Sequence, residues 1–162
     1  MVSLPAPNDP QPYRSSALAP LSLWLTEPLG IFTRITAQYT LDRHGAEFII
    51  DSYRQAVQQL GLDCTPRKLP WVHDWSLLQR VEPTTKAQLM AFTFEIREHV
   101  ASVDFVLASR ASVFLRMGAS VAESTLATVG LPVRSHFGEN ASGVLRALGL
   151  HLTAAPHGRP GA

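Results

Sequence analysis

The sequence predicts an α/β domain: a single, mostly parallel sheet of four or five strands, with an N-terminal β-hairpin and helices that cover the sheet. After the hairpin, helical and strand-like segments alternate, which is the order that right-handed crossovers between parallel strands produce. The chain has 162 residues, enough for one core and too few for two. Hydrophobic residues make up 46% of it, as expected of a folded domain rather than a disordered chain.

The two ends of the chain differ in composition from its middle. Residues 1–20 are rich in proline and small polar residues, so we expect a disordered arm there. The folded domain is predicted over residues 21–150. Residues 151–162 contain Pro156, Gly158 and Pro160, which prevent a last helix from continuing, and we expect a flexible tail.

The domain begins with the predicted hairpin, whose strands Leu21–Leu25 and Ile31–Ala37 flank a short connection with proline and glycine. The first helix follows. Apolar residues recur at steps of three and four over Ala46–Leu60, Asp42 is a good N-cap, and Gly61 ends the pattern.

The rest of the domain is predicted to consist of three strand–helix pairs. The second and third helices open with Pro83 and Ala111, and the strand before each is short and apolar. In order along the chain, the predicted elements are strand Leu69–Asp74, helix Pro83–Val100, strand Phe105–Ala108, helix Ala111–Thr128, strand Val133–His136 and helix Asn140–Leu148.

Two helices carry more apolar surface than one sheet face needs. The second has two apolar stripes, and we expect the stripe with Met90 and Phe94 to be exposed and to mediate self-association as a homodimer. The third has a broad apolar face with small residues over Gly118–Ser120. Core packing is the leading interpretation of that face, and a partner groove is the alternative.

Polar residues follow three of the predicted strands. His73 and Asp74 end one strand, Ser109 and Arg110 follow the next, and His136 ends the last. Because the carboxyl ends of parallel strands meet at one edge of a sheet, we expect a polar rim there. Arg110 lies at the start of a helix, where a positive charge is unfavourable, so we predict that it pairs with Asp74.

These segments resemble the STAS-like (anti-sigma-factor antagonist-like) group, which is distantly related in topology to the CRAL-TRIO lipid-transfer domains. The resemblance covers residues 22–148 and depends on the hairpin and first helix, on Val72–Trp75, on Val106–Arg110 and on Met117–Ala122. It implies a non-enzymatic protein-interaction module in bacterial regulatory signalling, with an unidentified protein as its partner.

The familiar antagonists are switched by phosphorylation of a serine that opens a helix after two aspartates. The corresponding register from Asp74 reaches Glu82 and then Pro83, which cannot accept a phosphate. Either the switch is absent, or Thr84 or Thr85 has replaced the serine at the same helix end. The residues predicted to contact a partner are His73, Asp74, Trp75, Thr84, Thr85 and Arg110.

The alternative function, which the resemblance to CRAL-TRIO domains implies, is a carrier or sensor that holds an apolar small molecule or lipid between the sheet and the helices. No sequence motif supports a small hydrolase or a metal-dependent enzyme, because the sequence lacks a nucleophile elbow, a Gly-rich phosphate loop and a recognised spacing of metal ligands. We therefore expect no catalysis, no cofactor and no metal. A net charge of +1 argues against nucleic-acid binding. The lack of a spanning segment or signal peptide, with Cys64 as the single cysteine, leads us to expect a cytoplasmic protein.

Overall fold

A computed structural model describes residues 10–62 and 67–153 and confirms the predicted α/β class. The 3₁₀ turn Arg97–His99 joins the second helix to the strand after it. In chain order the elements are β1 (Arg14–Ser15), β2 (Leu21–Glu27), β3 (Ile31–Ile35), β4 (Tyr39–Leu41), α1 (Arg43–Leu60), β5 (Leu69–Asp74), β6 (Leu78–Val81), α2 (Pro83–Ile96), β7 (Val100–Leu107), α3 (Val113–Ala127), β8 (Val133–Phe137), α4 (Ala141–Ala147) and β9 (His151–Leu152).

The main sheet has seven strands in the order β1-β2-β3-β5-β7-β8, and β9 also pairs with β2. The hairpin β2–β3 is antiparallel, with Leu21 opposite Ile35, whereas β3, β5, β7 and β8 are parallel to one another. Five strands are thus of ordinary length, as predicted, and the two additional ones have two residues each. A separate parallel pair, β4 and β6, was not predicted.

Side chains at the helix ends agree with the predicted limits of α1. The Asp42 carboxylate accepts a hydrogen bond from the Gly45 N–H at 3.1 Å, which satisfies a backbone donor of the first turn. Gly61 ends the helix with φ 63°, a left-handed conformation that glycine adopts without steric cost. Ser112 and Asn140 cap α3 and α4 in the same way as Asp42 caps α1.

The sheet separates two apolar cores of unequal size. Helices α1, α2 and α3 cover one side, which we call the three-helix face, and its largest side chains include Trp71, Trp75 and Phe92. Of the described helices, the short helix α4 alone covers the other side, the α4 face. Its buried residues are Trp24, Phe32, Val72, Val106, Ala141, Val144, Leu145 and Leu150.

Some predicted boundaries are wrong. Helix α2 ends at Ile96 rather than Val100, because Val100 already begins β7, which is longer than the predicted strand Phe105–Ala108. Part of the predicted disordered arm is ordered: β1 pairs with β2, and the Pro10 carbonyl accepts a hydrogen bond from the Trp24 indole. Likewise β9 lies in the predicted flexible tail. Residues 1–9 and 154–162, and Cys64, lie outside the described residues.

Candidate functional site

A cavity of about 380 Å³ lies between the three-helix face and helices α2 and α3. Because side chains alternate along a strand, β5 and β7 each present every second residue to this space. Apolar and aromatic side chains make up most of its lining. From β5 these are Trp71 and Trp75, with His73 between them, and from β7 they are Val103, Phe105 and Leu107.

His73 lies at the centre of the sheet side of the cavity. Its ring is stacked on the Phe105 ring, with ring centroids 5.2 Å apart and ring planes 23° apart. The centroid of the Trp75 ring is 4.8 Å from that of His73. Its Nδ1 is 2.6 Å from the Thr33 hydroxyl. Burial lowers the pKa of His73 to about 3, although the Asp104 charge acts in the opposite direction. The imidazole is therefore neutral at physiological pH.

Two indole groups beside His73 have no hydrogen-bond acceptor among the described residues. Trp71 and Trp75 are 4% and 7% exposed, and in the described part of the chain the Nε1–H of each is buried and unpartnered. A buried donor without a partner carries a desolvation penalty of about 1–3 kcal/mol. Both side chains line the cavity, so an acceptor oxygen on a bound molecule would remove that penalty.

A charged network lies on the opposite, α4 face. Arg134 donates two hydrogen bonds to the fully buried Asp104 carboxylate, at 2.8 and 2.9 Å, and His136 Nε2 is 2.8 Å from the same carboxylate. Burial acts to raise the pKa of Asp104, but the hydrogen bonds from Arg134 and His136 outweigh it and hold this pKa below its ordinary value. Glu139 lies 3.3 Å from His136 Nδ1. We interpret this network as the compensation that a buried carboxylate requires.

Asp74 has a different partner from the one predicted. Its carboxylate accepts hydrogen bonds from Arg34 Nε at 2.9 Å and from the Ser76 hydroxyl at 2.9 Å. Arg34 is the register partner of Asp74 in the parallel pair β3–β5 and points to the same α4 face. The predicted pair with Arg110 is therefore wrong, and Arg110 is exposed in the turn before α3, where water screens its charge.

The residues predicted to contact a partner do not form one surface. His73 and Trp75 point into the cavity while Asp74 points to the α4 face, as expected for neighbours on a strand. Thr84 is exposed, but Thr85 is 1% exposed and its hydroxyl has no partner among the described residues. Their role in partner binding stays a prediction.

Large exposed apolar side chains occur on α3 rather than on α2, where we expected them. Met90 and Phe94 are half-buried and pack against the core, and Met90 also lines the cavity, so the expectation of an exposed stripe on α2 is wrong. Self-association through these two residues stays a prediction. The large exposed apolar side chains of α3 form what we call the α3 apolar face: Val113, Phe114, Met117 and Val121. Phe114 of this face also lines the cavity.

Sequence reasoning missed Asp104 and the residues at the mouth of the cavity. Asp104 carried a usable signal, because an acidic residue within an apolar strand needs basic partners, and Arg134 and His136 alternate along the next strand. Arg80 and Lys86 also line the cavity, and no local sequence pattern singles them out.

Residues 10–62 and 67–153 contain neither a candidate metal site nor a candidate membrane-spanning helix. No group of three or more His, Cys, Asp or Glu side chains is placed to hold a metal ion there. None of the helices in these ranges is long and apolar enough to cross a membrane.

Comparison with known proteins identifies the fold. No family model matches the chain, and no curated protein is significantly similar to it. Among solved structures, it is similar to the crystal structure of an uncharacterized protein of the DUF3478 family, with a SpoIIAA-like fold, from Shewanella loihica PV-4. The TM-score is 0.55 at 11% identity, over 83% of this chain and 98% of that one. The chain therefore has a SpoIIAA-like, that is STAS-like, fold, which confirms the resemblance noted in the sequence at the level of fold.

Proposed function

We propose that this protein is a non-enzymatic carrier or sensor that holds an apolar small molecule or lipid chain between its sheet and helices α2 and α3. The cavity of about 380 Å³ carries this proposal. Small-molecule sites are typically about 300–1,000 Å³, apolar, and furnished with a few polar groups that orient the ligand. The neutral His73 and the indole N–H groups of Trp71 and Trp75 are polar groups of this kind.

The packing around the cavity also supports a bound molecule. Protein interiors are close-packed, and side chains that face an empty space lose dispersion contacts on that side. From α3, the small residues Gly118, Ala119 and Ala122 line the cavity together with Phe114, Leu115 and Leu126, and the three small side chains leave space between the larger ones. A ligand chain would restore the contacts that larger side chains would otherwise make.

The chemistry of the lining favours binding over catalysis. Among the described cavity-lining residues there is no carboxylate, serine or cysteine that His73 could activate. The Thr93 hydroxyl already donates to the Leu89 carbonyl at 2.8 Å. His73 itself uses Nδ1 for Thr33 and is hard to protonate, which suits an orienting group better than a general base.

A cavity-filling variant with a matched control tests the proposal. Ala119→Phe places a ring in the cavity, whereas Ala127→Phe adds the same ring at an exposed position of α3 outside the lining. The full chain is titrated with Nile red, a neutral dye that fluoresces in apolar surroundings. We expect the wild type and Ala127→Phe to bind the dye and Ala119→Phe to lose most of the binding, with all three folded by circular dichroism. Equal binding by all three proteins would refute the proposal. Native mass spectrometry of the wild type would show a ligand retained through purification.

A second candidate function is the protein-interaction module in regulatory signalling that the STAS-like resemblance implies. The α3 apolar face supports it, because exposed apolar side chains grouped on one helix commonly mark an interface. For this candidate we commit to a second copy of the chain, paired through the same face on both subunits. The variant Met117→Glu with Val121→Glu should lower the apparent mass in light scattering and keep Nile red binding. A wild type that is monomeric at high concentration would rule out pairing with a second copy.

A further inference from the structure

We propose that the ligand of the cavity is an amphiphile with an anionic head group, and that Arg80 and Lys86 bind the head while the apolar chain lies in the cavity. This inference rests on the proposed ligand-binding function. Of the described residues that line the cavity, Arg80 and Lys86 alone carry a charge at neutral pH, since His73 is neutral and no Asp or Glu is among them.

The position of the two cations fits a head group rather than a buried ligand atom. Arg80 lies on β6 and Lys86 in the first turns of α2, and both side chains are exposed, so they mark the mouth of the cavity. Lys86 Nζ is 3.7 Å from the position that a Cβ on Gly118 would occupy. The ammonium group therefore reaches across the mouth from α2 to α3.

Neither cation has an ion-pair partner among the described residues. The ion pairs found in the described ranges involve other residues, and no carboxylate there lies within 4.0 Å of the Arg80 or Lys86 charge. Two unpaired positive charges at the opening of an apolar, low-dielectric space concentrate the field along its axis and attract anions. A carboxylate, sulfate or phosphate head would supply the missing partner.

The same charges argue against the other head groups. The aromatic rings of Trp71, Trp75 and Phe105 suit a quaternary ammonium by cation–π attraction, but a cationic head would have to pass the two positive charges at the mouth. A neutral head gains nothing from them. We therefore expect affinity to fall from an anionic to a neutral to a cationic head at constant chain length.

Competition against Nile red tests this order. The competitors are dodecanoate, dodecanol and dodecyltrimethylammonium at pH 8, the two ions below their micelle concentrations and dodecanol below its solubility limit. We expect dodecanoate to displace the dye best from the wild type. In Arg80→Gln with Lys86→Gln its affinity should fall about tenfold, because two favourable charge contacts are lost, while dodecanol affinity stays unchanged.

A charge-matched variant controls for the change in net charge. Lys68→Gln with Arg146→Gln also removes two exposed cations, neither of which lines the cavity, and should keep the wild-type preference. If Nile red binds but the three competitors displace it equally, or the control variant loses the preference as well, the anionic head group is refuted and the cavity remains a ligand site. If Nile red does not bind the cavity, the proposed function itself fails.

Discussion

Replacing His73 should change how the stability of the protein depends on pH. The native pKa of His73 is about 3, lowered chiefly by burial, whereas the unfolded chain has the ordinary value of 6.5. Between these two values the unfolded state binds a proton at His73 that the native state does not. The stabilising contribution is therefore complete above about pH 6.5 and is lost as the pH falls towards 3.

The size of the effect follows from the difference in pKa. Each pH unit within the window lowers the free energy of unfolding by about 1.4 kcal/mol for a single proton. From pH 8 to pH 5, still well above the native pKa, the total loss is about 2 kcal/mol. The variant His73→Gln keeps a polar side chain near Thr33 and has no proton to gain, so this part of the pH dependence should disappear.

Urea unfolding at pH 8, 7, 6 and 5, followed by tryptophan fluorescence, measures the effect. The quantity compared is the fall in unfolding free energy between pH 8 and pH 5, which should be about 2 kcal/mol larger in the wild type than in His73→Gln. The exposed His44→Gln serves as a control for loss of a histidine outside the cavity. If the unfolding free energies of the wild type and His73→Gln fall in parallel as the pH is lowered, the native pKa of His73 is not lowered by burial. The assignment of His73 as a group that stays neutral in the cavity would then be wrong.

Three further substitutions test the packing by thermal or urea unfolding. Asp74→Ala should lower the free energy of unfolding by about 1–3 kcal/mol, because it removes the carboxylate that accepts hydrogen bonds from Arg34 and Ser76; a change under about 0.5 kcal/mol would show that these contacts are effectively solvated. Gly30→Ala should destabilise by about 1–3 kcal/mol, because the added Cβ would lie 2.8 Å from the Pro70 carbonyl oxygen; unchanged stability would mean that the strands separate easily there. Gly143→Ala adds a methyl group within α4 that meets nothing within 4 Å, and should stabilise by about 0.5–1 kcal/mol; a loss of stability would contradict the helical assignment.

The elements that sequence analysis predicted well are those whose periodicity is long enough to be unambiguous. Helix α1 has eighteen residues with its cap and stop in place, and β5 is a continuous apolar run that ends in a charge. Strands β4 and β6 have three and four residues, too few for a period of two to be distinguished from chance. The two strands pair because the segments that lead into α1 and α2 lie side by side. That proximity is set by the tertiary structure and not by the local sequence.

The candidate site was only partly predictable for a related reason. Alternation along β5 places Trp71, His73 and Trp75 on one face, and that face could be read directly from the sequence. The cavity depends instead on how far α3 stands from the sheet, and a helical apolar stripe does not encode that distance. The same stripe predicted core packing for α3, yet Phe114 is 83% exposed because the sheet contacts a different side of the helix.

The pairing of β1 and β9 with the same strand determines where another chain can add to the sheet. Two-residue strands from opposite ends of the domain cover successive parts of β2, so its outer backbone groups are already hydrogen-bonded. At the opposite edge of the sheet, β8 has no outer neighbour among the described strands. This strand follows Pro132 and contains the charged residue Arg134. Among the described strands, β8 therefore offers the longest edge for backbone pairing with an extended peptide, since β1 and β9 have two residues each, and the charge and proline at β8 restrict growth into ordered aggregates.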